Sequence, residues 1–229
     1  MRDELGTVIV TGGASGLGGA VAHAVQEQGG TPVVLDIRKP ANGFAFQQVD
    51  LARPRDAEAA VERVAAEHGG LDAVVTAAGI DACGDLGDVD PDAWDRVVAV
   101  NLLGTAAVVR AALPHVERAR GRIVTVASTL GIRALPAATA YCASKFGVVG
   151  FTRALAAETG GRVGVTLLLP GGMQTPFFDD RPDQFKPAPD QRMNRPEDVA
   201  ASVIFALRQP PGCELREMLV APATEPSWP

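Results

Sequence analysis

The chain of 229 residues contains few cysteines and no excess of positive charge, and each of these shortages excludes some classes of site or partner. Its three cysteines, Cys83, Cys142 and Cys213, show no C-x-x-C or other metal-binding spacing. We therefore expect reduced thiols in a cytoplasmic protein, and no bound metal. The net charge of −6 argues against nucleic acid or an anionic membrane surface as a partner.

Long apolar runs are also missing from the sequence. None approaches the ~20 residues that a membrane-spanning helix needs, so no membrane partner is expected. A secretory signal peptide carries only basic residues before its apolar stretch, whereas this chain begins MRDELGTVIVTGG, with two acids and a short apolar stretch. These features again favour the cytoplasm.

What the sequence does contain is an ordinary globular composition, with 47% hydrophobic and 21% charged residues. Its length suits one well-buried domain and is short for two. Apolar segments of strand length alternate with segments of helical periodicity. The predicted strands are 7–10, 33–35, 45–49, 73–75, 123–126 and 163–169. The predicted helices are 18–28, 54–67, 92–116, 141–158 and 197–207.

This alternation predicts an α/β fold, a doubly wound (Rossmann) parallel sheet with helices on both faces. Several strands are apolar at successive positions, as expected when helices cover them on both sides. We predict a single domain over residues 1–229, with its ligand crevice at the carboxyl ends of the strands. Residues 176–196, rich in proline and acids, are too long for an ordinary connection and are predicted to form a substrate lid.

A glycine-rich turn follows the first predicted strand and opens the first helix. It runs from Thr11 to Gly18 as TGGASGLG, with its glycines spaced G-x-x-x-G-x-G. Glycine lets a pyrophosphate approach the backbone, and a helix N-terminus offers it free N–H groups. The turn therefore predicts a dinucleotide site.

Asp36 ends the second predicted strand, eighteen residues beyond Gly18. A carboxylate there can accept both adenosine-ribose hydroxyls, and it would repel a 2′-phosphate. Ser15, within the turn, is neutral where a phosphate site would benefit from a basic residue. Both features favour NAD over NADP as the cofactor, whereas Arg38 nearby weakens that preference.

The chain's single tyrosine, Tyr141, stands four residues before Lys145, and Ser128 lies thirteen residues upstream of it. Residues four apart share one helix face, so the two side chains can reach the same site. An ammonium group close to a phenol favours the phenolate and lowers its pKa from about 10. The pattern indicates acid–base chemistry at a carbonyl or alcohol, although a solvated helix face shows the same spacing.

Together these motifs resemble those of the short-chain dehydrogenase/reductase family in its compact form. TGGASGLG matches the cofactor loop of the family, and the resemblance extends over residues 7–220. The other matches, in the family's order, are Asp50, Ala78-Gly79, Asn101, Ser128, Tyr141, Lys145, Pro170-Gly171 and Thr175. The cofactor-binding residues that follow from these matches are Gly12, Ser15, Gly16, Leu17, Gly18, Asp36, Asp50, Leu51, Ala78, Gly79, Asn101, Tyr141, Lys145, Pro170, Gly171, Met173 and Thr175.

The resemblance implies hydride transfer between a nicotinamide cofactor and a substrate carbon, with four catalytic residues. Tyr141 would be the acid–base group, and Lys145 would bind the nicotinamide-ribose hydroxyls and lower the tyrosine pKa. Ser128 would hydrogen-bond the substrate oxygen. Asn101 would hold a water molecule that links Lys145 to solvent.

Three departures from the family pattern accompany these matches. Thr76-Ala77 replace two asparagines of the family's N-N-A-G segment, which predicts altered local hydrogen bonding rather than lost activity. Met173 stands where a branched aliphatic residue is common. The C-terminal stretch REMLVAPATEPSWP lacks the frequent D-G-G ending, which leaves the C-terminal subunit contacts open.

The substrate is predicted to be an apolar secondary alcohol or ketone, because the residues expected around it are mainly apolar. These residues are Leu130, Ile132, Leu135, Met173, Phe177, Phe178 and Phe185. No cluster of basic residues indicates a phosphorylated or carrier-bound substrate, although Arg181, Lys186 and Arg192 lie in the lid. The physiological substrate and the direction of the reaction cannot be read from the sequence.

Two alternatives stay open, an NADPH-dependent ketoreductase and a non-catalytic NAD-binding sensor. The resemblance also implies a homo-oligomer, a dimer or tetramer paired through helices 92–116 and 141–158. We predict a homotetramer that acts on a small-molecule substrate.

Overall fold

A computed structural model describes residues 4–225 of the chain. Two parts of the predicted domain lie outside the described residues. They are residues 1–3, at the N-terminus that was predicted not to be a signal peptide, and residues 226–229, the end of REMLVAPATEPSWP. The described residues form a seven-stranded, all-parallel sheet in the order β3-β2-β1-β4-β5-β6-β7. The strands are β1 (Thr7–Thr11), β2 (Thr31–Asp36), β3 (Ala45–Gln48), β4 (Ala73–Thr76), β5 (Arg122–Val126), β6 (Gly164–Pro170) and β7 (Glu217–Val220).

Helices connect the strands and cover both faces of the sheet, which confirms the predicted doubly wound α/β fold. The α-helices of the described residues are α1 (Gly16–Glu27), α2 (Pro54–His68), α3 (Pro91–Val98), α4 (Thr105–Arg118), α5 (Thr139–Thr159) and α6 (Pro196–Leu207). One core lies between the sheet and helices α2, α4 and α5, and a second lies between the sheet and helices α1 and α6. Because both faces are buried, β4 and β6 are apolar almost throughout, as AVVT and GVTLLLP.

The strand order reverses at β1, and this reversal positions the site. The chain runs outward from β1 to β2 and β3, then crosses back to place β4 on the other side of β1. Thr11, at the end of β1, pairs in register with Leu35 of β2 and Thr76 of β4. The connections that follow β1 and β4 leave the sheet on opposite sides, which opens a crevice at the carboxyl ends of the strands.

The predicted helix over residues 92–116 is present within Pro91–Arg118, but it is not α-helical throughout. The chain instead forms α3, a π-helix over Ala99–Gly104, and then α4. A π-helix holds more residues in each turn than an α-helix, and it commonly occurs at functional sites. The apolar periodicity of the segment does not show this change, because one wide turn shifts the pattern only slightly. Asn101 lies within the π-helix.

Strand β7 is missing from the predicted strands. Its four residues, EMLV, pair with β6 at the edge of the sheet and are only partly buried. The equally short β4 is apolar and fully buried, whereas EMLV begins with an exposed glutamate and its other residues are only half-buried, so its apolar pattern is too weak to be distinguished from a loop. All six predicted strands are confirmed, and their ends differ from the predicted ends by at most two residues.

One stretch of the described residues, Pro91–Arg118, is long and apolar enough to cross a membrane by length and composition alone. This differs from the prediction that no apolar run approaches the length of a membrane span. However, 56% of its most apolar window is buried inside the fold, and α4 contributes to the core between the sheet and α2. Packing in a protein core accounts for this composition, so the stretch is weak evidence for a membrane span.

Candidate active site

A cavity of about 1190 Å³ opens at the carboxyl ends of the strands. It is lined by the glycine-rich turn after β1, the ends of β2, β4, β5 and β6, the start of α5 and the predicted lid. The structure brings all the predicted catalytic and cofactor residues to this cavity except Asn101, which is fully buried behind its wall.

The glycine-rich turn passes tightly over the start of α1. Gly12 has a φ of +71°, in the left-handed region, and runs close to the backbone of Ala78. A Cβ atom on Gly18 would lie far inside contact distance of the Gly12 carbonyl oxygen. The first N–H groups of α1 have no acceptor within the helix, so they remain available to a ligand. The turn therefore fits the pyrophosphate of a dinucleotide, which needs a close approach to backbone N–H groups.

We expect Gly18→Ala to weaken NADH binding by about tenfold, because overpacking of about 1–3 kcal/mol would displace the turn. Gly19→Ala is the matched control, since its Cβ atom would lie 3.5 Å from the Gly13 carbonyl oxygen, an ordinary contact. Fluorescence titration of both variants with NADH checks this prediction. Equal affinities for the two variants would contradict the proposed role of the turn.

Asp36 supports the glycine-rich turn from the end of β2. One carboxylate oxygen accepts the N–H of Ala14 at 3.0 Å, and the other accepts the N–H of Arg38 at 2.9 Å. The Arg38 guanidinium in turn donates to Ser15 Oγ at 3.2 Å. Asp36 retains lone pairs for ribose hydroxyls. However, Arg38 places a positive charge at the same end of the cavity, so the two residues have opposite effects on cofactor choice.

Asp50 is paired with a cation that the sequence did not reveal. Arg96 of α3 donates to both carboxylate oxygens, at 3.1 and 3.3 Å, and the N–H of Ala52 donates at 3.0 Å. Burial opposes the charge on Asp50, but these hydrogen bonds outweigh it and hold its pKa below the usual value. Both side chains are substantially exposed, so the ion pair adds little stability. Its position on the cavity wall makes it a candidate contact for the adenine end of a dinucleotide.

Asn101 connects the π-helix to the loop after β4 and to α5. Its Oδ1 accepts the N–H of Ile80 at 2.9 Å, and its Nδ2 donates to the Ile80 carbonyl at 2.9 Å and to Ser144 Oγ at 3.0 Å. The side-chain amide is therefore committed to protein partners. The backbone carbonyl of Asn101 accepts the Thr105 hydroxyl at 2.8 Å, and a carbonyl oxygen can accept two hydrogen bonds. The predicted water would have to bind at that carbonyl.

Lys145 is buried at the base of the site, with 4% of its surface exposed. Its Nζ donates to the carbonyl oxygen of Val126, at the end of β5, at 2.9 Å. Burial lowers the pKa of Lys145 to about 8, although the Asp81 carboxylate opposes this shift. Ser128, two residues beyond Val126, accepts the N–H of Leu130 at 3.1 Å through its Oγ. Its hydroxyl hydrogen can therefore be donated to another group, and in this structure it interacts with the Tyr141 hydroxyl.

The pKa of Tyr141 differs from the sequence-based expectation. Burial raises it to about 12, a hydrogen bond from Ser128 lowers it in part, and the Asp81 carboxylate raises it further. Lys145 Nζ lies 5.6 Å from the centroid of the tyrosine ring. The expected lowering by Lys145 is therefore wrong for this structure. Removal of the phenol from water is the largest cause of the raised pKa of Tyr141.

The predicted lid lies over Tyr141. Within residues 176–196, two short 3₁₀ turns, Pro176–Phe178 and Asp183–Phe185, interrupt an irregular chain. The ring of Phe177 lies 5.6 Å from the ring of Tyr141. Arg181 forms a salt bridge of 2.6 Å with Asp81, in the loop after β4, and thereby joins the lid to the body of the domain. The sequence reasoning placed Arg181 in the lid but did not identify Asp81.

Most of the predicted substrate pocket is also present. Six of its seven residues line the cavity: Leu130, Leu135, Met173, Phe177, Phe178 and Phe185. The prediction that Ile132 lines the pocket is wrong, because Ile132 packs against the small core around Val148 and Leu167 instead. Among the lid cations, Arg181 and Lys186 line the cavity, whereas Arg192 is exposed outside it.

The departures from the family pattern have visible consequences. The Oγ1 atom of Thr76 is buried and has no hydrogen-bond partner within residues 4–225, as expected where a residue with fewer polar atoms replaces asparagine. The carboxylate of Glu225, in the C-terminal stretch, accepts the N–H of Gly172 at 2.7 Å and reaches the cavity wall. Sequence reasoning did not find Glu225, because a lone acid in a proline-rich tail carries no motif.

Comparison with known proteins decides the family. The family model described as short chain dehydrogenase matches residues 6–185. The chain belongs to the short-chain dehydrogenase family. It is 33% identical to 2-(S)-hydroxypropyl-CoM dehydrogenase 3 of Xanthobacter autotrophicus, over 87% of this chain and 88% of that protein. It is 34% identical to D-threitol dehydrogenase of Mycolicibacterium smegmatis, over 86% of this chain and 84% of that protein.

A solved structure with the same fold is the ligand-free aldohexose dehydrogenase of Thermoplasma acidophilum, with a TM-score of 0.84 and 26% identity. The match covers 96% of this chain and 92% of that one. This short-chain dehydrogenase is therefore an oxidoreductase with a nicotinamide cofactor. Its cavity offers a phenol, a buried amine and a hydroxyl at one end and a glycine-rich cradle at the other. That arrangement can hold a cofactor and move one proton at a substrate oxygen.

Proposed function

We propose that this short-chain dehydrogenase transfers a hydride between NAD and an apolar secondary alcohol or ketone. The observation that carries the proposal is the meeting of Tyr141, Lys145 and Ser128 at one end of the cavity. The hydride chemistry is what the nicotinamide supplies when it is bound. The apolar side chains of the lid support the choice of substrate, and the relatives named 2-(S)-hydroxypropyl-CoM dehydrogenase 3 and D-threitol dehydrogenase support the reaction type.

The side chains of the site would manage the proton. In the reductive direction Tyr141 gives its phenolic proton to the developing alkoxide, and in the oxidative direction it takes the proton from the alcohol. A phenol with a pKa of about 12 holds its proton at neutral pH, which suits the reductive direction. Ser128 accepts the N–H of Leu130, and its own hydrogen, which interacts with the Tyr141 hydroxyl in this structure, would be donated to the substrate oxygen instead.

Lys145 would bind the ribose next to the nicotinamide. Its bond to the Val126 carbonyl uses one of three ammonium hydrogens and fixes the side chain, which leaves two hydrogens for ribose hydroxyls. Because burial lowers its pKa to about 8, Lys145 can also exchange a proton close to neutral pH. That property would let it pass protons between Tyr141 and solvent.

We expect NADH to bind about tenfold more tightly than NADPH, because the Asp36 carboxylate repels a 2′-phosphate. The measurement is a fluorescence titration with each reduced cofactor. Asp36→Asn, which keeps one oxygen to accept the Ala14 N–H, should narrow the difference. Equal or reversed affinities in the wild-type protein would contradict the argument from Asp36.

An NADPH-dependent ketoreductase is the second candidate, and one observation favours it. Arg38 lies beside Ser15, where its guanidinium could pair with a 2′-phosphate. If NADPH binds more tightly in the wild-type protein and this preference disappears in Arg38→Ala, the second candidate is supported. The catalytic argument from Tyr141 is the same for both cofactors.

We also propose a homotetramer, paired through the surfaces of the π-helix and α5. Leu103 on the π-helix and Phe146 on α5 are about half exposed, as expected of side chains that a partner subunit covers. Phe205 on α6 is exposed to a similar degree and suits a second interface. Light scattering should give four times the mass of the chain. A stable monomer would refute the proposal.

A further inference from the structure

A carboxylate of the C-terminal stretch lies against the backbone that follows β6. Glu225 is buried, with 8% of its surface exposed, and it lines the cavity. Its Oε2 atom accepts the N–H of Gly172 at 2.7 Å. Glu225 belongs to the stretch REMLVAPATEPSWP, in which the sequence departs from the family pattern, and the proposed proton transfer does not use it.

Two glycines allow this close approach. A Cβ atom on Gly171 would lie 2.4 Å from Glu225 Oε2, and one on Gly172 would lie 3.5 Å from it. The carboxylate therefore occupies the space that a side chain on Gly171 would need. The N–H of Gly171 donates to the Val220 carbonyl at 3.0 Å, and the Gly172 carbonyl accepts the N–H of Asn194 at 3.0 Å. Strand β7, the lid and Glu225 thus hold the two glycines from three directions.

The segment that the two glycines begin, residues 171–175, extends between the two ends of the cavity. It follows β6, which pairs with the end of β5 at Val126, and the carbonyl oxygen of Val126 accepts the ammonium group of Lys145. At the other end of the segment, Thr175 lies 3.4 Å from the position that a Cβ atom on Gly16 would take. A dinucleotide with its pyrophosphate on the glycine-rich turn and its reacting carbon near the catalytic residues would therefore have its nicotinamide along this segment.

We propose that Glu225 is a positioning residue for the nicotinamide half of the cofactor and acts through the backbone of Gly171 and Gly172. The proposal rests on the proposed hydride-transfer site. Glycine has more backbone freedom than any other residue, so this pair needs outside contacts to keep one conformation. Without the carboxylate, the Gly172 N–H loses its acceptor and the segment loses one of its three supports. The adenosine and the pyrophosphate lie farther along the cavity, at Asp36 and the glycine-rich turn, and should bind as before.

The test measures by isothermal titration calorimetry the affinities for NADH and for ADP-ribose, which keeps the adenosine, the pyrophosphate and the second ribose but has no nicotinamide. We expect Glu225→Ala to weaken NADH binding about tenfold, the effect of one buried donor left unpaired, and to change ADP-ribose binding less than about twofold. Glu225→Gln keeps an oxygen that can accept the Gly172 N–H, so it should bind NADH within about twofold of wild type. Glu225→Asp keeps the charge but is one methylene shorter, so it should resemble the alanine variant.

The matched control is Glu67→Ala, at an exposed glutamate of α2 outside the cavity, which should change neither affinity. An unchanged NADH affinity in Glu225→Ala overturns this inference and leaves the proposed oxidoreduction intact. An equal loss of both affinities also overturns it, because Glu225 would then support the whole fold. So does a loss in Glu225→Gln as large as that in Glu225→Ala, because the hydrogen bond to Gly172 would not be the cause. A wild-type protein that binds neither NADH nor NADPH contradicts the proposed function itself.

Discussion

Replacing Tyr141 with phenylalanine is expected to reduce kcat about 10³-fold or more, because the site loses the group that gives and takes the proton. The substitution keeps the ring, which lies 5.6 Å from the ring of Phe177, so the shape of the cavity should persist. Affinity for NADH should stay within about twofold, since the variant removes an interaction made in the transition state and not one needed to bind the cofactor. Initial rates and a fluorescence titration with NADH measure the two effects.

The control for this variant is Thr152→Val, which removes a buried hydroxyl from the same helix outside the cavity. Thr152→Val should turn over substrate at nearly the wild-type rate.

Oxidation by the wild-type protein should accelerate as the pH rises, because a phenol with a pKa of about 12 becomes a base only at high pH. The residual activity of the phenylalanine variant should lack that rise. Normal activity in Tyr141→Phe would overturn the mechanism. A wild-type protein that binds NADH but turns over no substrate would favour the alternative of a non-catalytic NAD-binding sensor.

The fold could be predicted because its signals are local. A parallel sheet that helices cover on both faces gives continuous apolar strands, such as GVTLLLP, separated by amphipathic helices. The glycine-rich turn was equally clear, because Gly12 and Gly18 occupy positions where a Cβ atom would meet backbone. The edge strand β7 and the π-helix were missed because each changes the local pattern too little.

The polar partners of the site could not be predicted, because they depend on contacts between distant segments. Arg96 reaches Asp50 across 46 positions of the chain, and Arg181 reaches Asp81 across 100. Neither pair has a characteristic spacing. The direction of the Tyr141 pKa was missed for the same reason, since the spacing to Lys145 is visible in the sequence but the burial of both groups is not.

These unpredicted contacts alter the description of the substrate end. The sequence indicated an apolar pocket, and the lid does supply aromatic rings. The structure adds a carboxylate and a guanidinium beside Tyr141, neither of which an entirely apolar substrate would use. The loop after β4 carries Asp81 and is itself held by Asn101 through Ile80. Asn101 and the Asp81–Arg181 ion pair are therefore connected through one loop, although the three residues lie far apart in the sequence.

Replacing Lys145 with methionine is expected to lower kcat/KM about 10²-fold or more and, at the same time, to stabilise the protein at pH 7. Burial lowers the pKa of Lys145 from 10.5 to about 8. Between these two values the unfolded chain binds a proton that the folded chain does not, so the stability of the wild-type protein rises with pH through this window. Below pH 8 the fold bears the full cost of a buried ammonium group.

Methionine fills a similar volume without a charge, although it leaves the Val126 carbonyl without its donor, a loss of about 1 kcal/mol. Thermal unfolding should show a melting temperature a few degrees above wild type at pH 7, with the difference shrinking as the pH approaches 10. Lys39→Met, at an exposed lysine, should change neither the activity nor the pH dependence of stability. If Lys145→Met is less stable than wild type at pH 7, the bond to Val126 outweighs the desolvation of the ammonium group. Lys145 would then hold the end of β5 in place as well as serving the site, and its substitution would not separate catalysis from folding.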